Sequence, residues 1–198
     1  MKKVKVFLCT LTLVIGIAGA ANAVLIDFES YADAQNLHGV NLGGVTLTNS
    51  SGNVEVFDNR FGVSSHSGTK AIGSFSGAAN INPMTGVFDQ AVSYVSLWAG
   101  DSGNDTDNWT LNVYDAVVGG TLLGSSNSGN WNGSPYRQLT ASIAGIWRFE
   151  AIWNGPECCG IGYDDLEFTP SSVPEPATLL LLGSALAGLG LVRRKFKS

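Results

Sequence analysis

Between residues 24 and 170 the apolar positions recur at every second residue, in short runs broken by Gly, Asn, Ser and Asp. In "WTLNVYD", Trp109, Leu111 and Val113 fall on one face, with Thr110, Asn112 and Tyr114 on the other. In "RQLTASI", Leu139, Ala141 and Ile143 oppose Gln138, Thr140 and Ser142. Trp147, Phe149 and Trp153 are expected to share a core-facing side of "GIWRFEAIW". Further strand-like runs are "VLIDFE", "GGVTLTN", "NVEVFD", "KAIGSFS", "TGVFDQ", "AVSYVSLWA", "GTLLGS" and "IGYDDLEFT". Period two with turn residues about every ten positions predicts an all-β fold, an antiparallel β-sandwich or barrel. Helical periodicity is missing here. Only "ESYADAQNL" admits a helical reading, and "DFESYAD" equally reads as strand and turn. No internal repeat is present.

The two ends follow other rules. Residues 1–23 carry Lys2, Lys3 and Lys5, then an apolar run from Val6 to Ala18, then Ala21 and Ala23 in an A-x-A pattern. That is the form of a secretory signal peptide, cut by signal peptidase before Val24, and it predicts export through the Sec route. Residues 171–198 form a tail. From Ala177 to Val192, 16 residues are apolar or small. As a helix they span roughly 24 Å, against a bilayer core of about 30 Å. The predicted transmembrane helix, about 177–193, is therefore marginal. The basic end that follows, Arg193, Arg194, Lys195 and Lys197, favours the cytoplasmic side of the inner membrane. Ahead of the helix, Pro174 and Pro176 hold Val173 and Glu175 extended, a shape suited to a protease groove.

A "VPEP" followed by an apolar helix and "RRK" resembles the PEP-CTERM sorting tail. The resemblance covers residues 173–198. It implies that Val173, Pro174, Glu175 and Pro176 are the sorting motif and Arg193, Arg194 and Lys195 the basic stop. It also implies that an exosortase cleaves near the prolines, with delivery to the cell surface or extracellular matrix. Members of that family accompany exopolysaccharide production and biofilm matrix. The middle of the chain, 24–170, is similar to exported proteins of this group with a jelly-roll-like domain. It shares an opening "IDFESYADAQNLHGVNLGGVTLTN", a middle "LNVYDAVVGGTLLGSS" and a closing "IGYDDLEFTP". Sandwiches of this kind include carbohydrate-binding modules, which implies a secreted, structural or adhesive role with exopolysaccharide as ligand.

Charge narrows the partners. Residues 24–172 hold fifteen acidic side chains but only four basic ones, Arg60, Lys70, Arg137 and Arg148. Nucleic acid is excluded as a natural partner, and divalent cations become plausible. Cys9 leaves with the signal peptide. The adjacent Cys158 and Cys159 form either a vicinal disulfide or two free thiols.

The candidate chemistry is sparse. Asp27 and Glu29, two apart on the first strand, and Asp164 and Asp165, on the last, bring hard oxygen ligands together if those strands are neighbours. That predicts a structural calcium (Ca2+) site, and the likeness to carbohydrate-binding sandwiches with a terminal calcium points the same way. Asp101, Asp105 and Asp107, with Asn104 and Asn108, resemble a calcium loop but lack EF-hand spacing and read first as turn formers. Trp131, in the polar stretch "SSNSGNWNGSPY", is a candidate for stacking on a sugar ring, or else folds back over the sheet edge. For an enzyme, His66 lies among Ser64, Ser65 and Ser67, and Glu29, Glu55, Glu150 and Glu157 are available carboxylates. Yet neither a nucleophile elbow nor a defined carboxylate pair stands out. The sequence therefore reads as non-catalytic, with a secreted glycosidase-like hydrolase acting on matrix polysaccharide as the alternative.

Overall fold

The computed structural model describes residues 22–58, 65–73, 75–76, 79–80, 83–100, 106–132, 134–154, 161–171 and 183. The sorting motif, the basic stop, Cys158, Cys159, Asp101, Asp105, Glu157 and nearly all of the signal peptide lie outside these residues. The chain divides into two units, Asn22–Ser171 and the two ends together. Of the ends, only Gly183 is described, in helical conformation.

Residues 22–171 build twelve antiparallel strands among the described residues. They are β1 (Val24–Ile26), β2 (Val45–Thr48), β3 (Glu55–Asp58), β4 (Lys70–Gly73), β5 (Phe75–Ser76), β6 (Ala79–Asn80), β7 (Met84–Gly100), β8 (Trp109–Tyr114), β9 (Leu122–Asn127), β10 (Arg137–Ala141), β11 (Ile146–Trp153) and β12 (Gly162–Pro170). "TGVFDQ" and "AVSYVSLWA", expected as separate strands, run together as the 17-residue β7. "ESYADAQNL" is turn and bend, not helix.

β7 organises the sandwich because its two halves belong to different leaves. Its first half pairs with β2 through Val45↔Phe88 to Thr48↔Thr85, and with β11 through Arg148↔Val87 to Ala151↔Met84. β8 and β9 extend that leaf beyond β11. Its second half pairs with β10 through Arg137↔Ala99 to Ala141↔Val95, and with β12 through Gly162↔Gly100 to Phe168↔Val95. β1, β4 and β3 lie beyond β12. Around Val87–Val92 the register shifts against both β11 and β12, and Asp89 and Gln90 are exposed at this corner.

Alternation decides what goes inside. Val95, Leu97 and Ala99 of β7, Trp109, Leu111 and Val113 of β8, and Phe149, Ala151 and Trp153 of β11 all enter one core. The core continues through Leu166 and Phe168 of β12, Val45 and Leu47 of β2, and Phe28. Each large aliphatic or aromatic side chain buried this way contributes about 1.5–3 kcal/mol. Trp147 departs from the expected pattern and is only half-buried. The register shift between Ile146 and Arg148 gives Ile146 the core position instead. Within one leaf the Phe149 ring lies over its directly paired neighbour Gly86: a Cβ there would lie 2.0 Å from Cε1 of Phe149.

Candidate functional site

One edge of β12 is shared between two strands. β4 meets it at Tyr163↔Ile72, and β1 meets it at Ile26↔Leu166 to Val24↔Phe168. At the changeover β12 bulges between Asp164 and Glu167, and Asp165 takes a left-handed φ of 46°. Asp is among the few non-glycine residues that accept this conformation readily. The turn after β1 and the loop entering β4, residues 65–70, close over the bulge.

This joint absorbs the four carboxylates expected to hold calcium. Asp164 is fully buried. Its Oδ2 accepts from the backbone N–H groups of His66 (2.8 Å) and Ser67 (2.9 Å), and its Oδ1 from that of Asp165 (2.7 Å). Burial pushes its carboxyl up to about 6, aided by the neighbouring Asp165 charge and opposed by the three N–H donors. Asp165 accepts from the Ser67 hydroxyl (2.9 Å) and pairs with His66 Nδ1 (2.6 Å). Glu29 Oε1 accepts from the N–H groups of Thr69 (2.9 Å) and Lys70 (2.7 Å), while Lys70 Nζ donates to the carbonyls of Glu29 and Tyr31. Gly68, at φ 55°, leaves room for Glu29: a Cβ would meet its Cδ at 2.4 Å.

The expected arrangement of these carboxylates is corrected in one respect. Asp27 and Glu29 do not share a strand face, because β1 ends at Ile26 and Phe28 turns the chain at φ 60°. Asp27 Oδ1 faces the Glu29 N–H at 3.2 Å. Asp164 and Glu29 hold the 65–70 loop through backbone donors and Asp165 through the Ser67 and His66 side chains, and among the described residues no group of three or more His, Cys, Asp or Glu side chains is placed to hold a metal ion.

Ser67, His66 and Asp165 have the composition of a hydrolytic triad but not its wiring. The serine hydroxyl donates to the carboxylate, on the same group that His66 Nδ1 engages, so the serine is not held on the imidazole base.

Trp131 is buried rather than presented to solvent, which overturns the stacking platform expected there. Its backbone pairs with Asp107 in both directions (2.6 and 3.0 Å), its ring joins the core, and the Arg137 guanidinium lies 5.3 Å from the ring centroid. Asp107, from the acidic loop, is itself buried and accepts from Trp153 Nε1 at 3.1 Å.

Trp98 is half-buried on the outer face of β7. Directly paired residues of an antiparallel ladder share a face. With Val95, Leu97 and Ala99 inside, Tyr94, Ser96 and Trp98 lie on the opposite face, where Ser96 is itself fully buried. Asp164 and Gln138 flank Trp98, and Glu167 and Thr140 flank Ser96, with Leu25 beyond Glu167. Thr169 stands beside Tyr94. Gln138, Thr140 and Leu25 are exposed, and Tyr94, Trp98, Glu167 and Thr169 are half-buried. Gln138 Nε2 reaches across to Ser96 Oγ at 3.2 Å. The His66 ring stacks on Trp98 with centroids 3.7 Å apart and 13° between planes, and Tyr136 stands tilted 6.1 Å from His66. The result is a strip crossing β1, β12, β7 and β10, about 14 Å across at 4.8 Å per strand spacing. Hydroxyl, amide and carboxylate groups line its middle, with aromatic rings at either end. Sequence alone did not single out this face. The alternation of "AVSYVSLWA" marks it only once its neighbours across the sheet are known.

Residues 172–195 match the PEP-CTERM protein-sorting motif. That motif implies exosortase processing of an exported protein, anchored transiently at the membrane before surface display. No curated protein matches the chain. Among solved structures, the K2 cleaved adhesin domain of Lys-gingipain shares the β-sandwich fold, with a TM-score of 0.50 and 16% identity over 75% of this chain and 98% of that one. The K1 cleaved adhesin domain from Porphyromonas gingivalis W83 gives a TM-score of 0.48 and 11% identity over 76% and 99%. The CBM22-2 xylan-binding domain of Paenibacillus barcinonensis Xyn10C gives 0.41 and 14% over 75% and 99%. At such identities the likeness concerns the fold alone.

Proposed function

We propose that the protein is a non-catalytic surface or extracellular-matrix protein. In this reading an exosortase cuts its tail, and the outer strip of β1, β12, β7 and β10 then binds polysaccharide. The sorting motif at 172–195 supports the first half. The second half rests on one observation: a sheet face on which Tyr94 and Trp98, the latter with His66 stacked on one side of its ring, stand on either side of Glu167 and Thr140, with Ser96 buried between these two. Sugar rings offer apolar C–H faces to aromatic rings and hydroxyls to side-chain donors and acceptors, and this strip supplies both. The name of the Lys-gingipain adhesin domain fits an adhesive role, which enters here as part of this reading.

Two measurements test it. Intact-mass analysis of surface and released protein is expected to find a C-terminus near Pro176. A surface protein still ending at Ser198 contradicts exosortase processing. Purified 24–171 is expected to sediment with insoluble matrix polysaccharide, and Tyr94→Ala is expected to weaken this by roughly five- to tenfold, about 1 kcal/mol of stacking. Equal retention of the two proteins removes the strip from the reading.

A further inference from the structure

Resting on that reading of the outer strip, we infer the chemical class of the sugar it takes: a glycan bearing protonated amines, such as a deacetylated amino-sugar polymer, rather than a uronate-rich one. The argument is one of charge complementarity at the face. An acidic polysaccharide needs cations to meet its carboxylates. Each basic side chain among the described residues is already engaged within the protein. Lys70 Nζ donates to the carbonyls of Glu29 (2.8 Å) and Tyr31 (2.7 Å). Arg137 Nη1 donates to the Ser128 carbonyl (2.6 Å), with its guanidinium over Trp131. Arg148 binds Glu150 and the Gly119 carbonyl, with its guanidinium 3.8 Å from the Tyr114 centroid.

The strip itself offers the opposite sign. Glu167 stands in its central row, between Leu25 on β1 and Ser96 on β7, with no basic side chain beside it in either register. Asp165 and the buried Asp164 lie one row away, and His66 is bound to Asp165. Tyr94 and Trp98, at i and i+4 along β7, flank the Glu167 row. An ammonium group is attracted both to a carboxylate and to an aromatic face. A glucosamine unit places such a group on a ring that also has an apolar side. The surrounding excess of acidic over basic groups steers the same class of ligand toward the surface.

The test compares three oligosaccharides of equal length: glucosamine, N-acetylglucosamine and a uronate. Each is titrated into 24–171 at pH 6 and low salt by calorimetry. Tighter binding of the glucosamine oligomer, weakened by 0.5 M salt, is expected. Because any acidic protein attracts a polycation, two single-charge variants separate a site from general attraction. Glu167→Gln is expected to weaken glucosamine binding roughly three- to fivefold. Asp89→Asn, exposed at the corner of β7, is expected to leave it unchanged. Equal weakening by both variants overturns the inference. Equal or tighter binding of the acetylated or uronate oligomer also overturns it, while leaving polysaccharide binding intact. Binding of none of the three overturns it as well. Failure of Tyr94→Ala to change retention on matrix polysaccharide is the separate result that removes the strip itself.

Discussion

Asp164 is pulled in two directions. Three backbone N–H groups favour its ionised form, and complete burial favours the protonated one. Burial prevails, with a value of about 6 in the fold against 3.8 for the ordinary carboxyl. Between these values the folded state binds more protons than the unfolded chain, so the linkage slope is negative. The contribution of Asp164 to stability is fully present below about pH 3.8 and is lost as pH rises through about 6. The whole effect is at most about 3 kcal/mol, at 1.36 kcal/mol per unit. Denaturant midpoints of wild type and Asp164→Asn, measured from pH 4 to pH 7, are expected to differ in slope. The wild type should lose stability toward pH 7 relative to the variant, whatever the variant's absolute stability. Parallel pH profiles would show that the carboxyl does not titrate in this range.

At the scale of elements, the alternating runs were the legible part. The spacing in "WTLNVYD" places Trp109, Leu111 and Val113 inside, as β8 shows. The acids at both ends of the sandwich were legible as neighbours but not as to purpose, because the bulge at Asp165 and the loop that it grips are set by contacts remote in sequence. Trp131, for which the sequence leaves both a sugar platform and a folded-back ring open, takes the buried placement. A polar stretch says nothing of a ring that packs beneath it, and here the Asp107 pairing turns the ring inward. The runs "TGVFDQ" and "AVSYVSLWA" read as two strands, yet Asp89 and Gln90, at the end of the first, mark a corner where one strand changes leaf. That strand tolerates little added bulk at Gly86. Gly86→Ala is expected to cost about 1–3 kcal/mol by forcing Phe149 aside, read as a lowered denaturant midpoint with unchanged slope. A neutral outcome would mean that the Phe149 ring can move off Gly86 at no cost.

For the whole molecule, the ordering of strands along the chain has a consequence in time. β12 is the last strand of the described sandwich, yet it joins β7 on one side to β1 and β4 on the other. A chain made and exported N-terminus first therefore carries β1, β4 and β7 across before their common partner arrives. Until Gly162–Pro170 emerges, three strands wait with unpaired edges, which are templates for aggregation. A chain ending at residue 160 is expected to show no cooperative unfolding transition and to aggregate, whereas 24–171 unfolds cooperatively. A cooperative transition in the shorter chain would mean that the sheet closes without β12. The sorting motif begins at residue 172, directly after this strand. Closure of the sheet and presentation of the address thus coincide. If the tail is processed as proposed, the signal for release therefore follows in the chain at once upon the strand that completes the sheet.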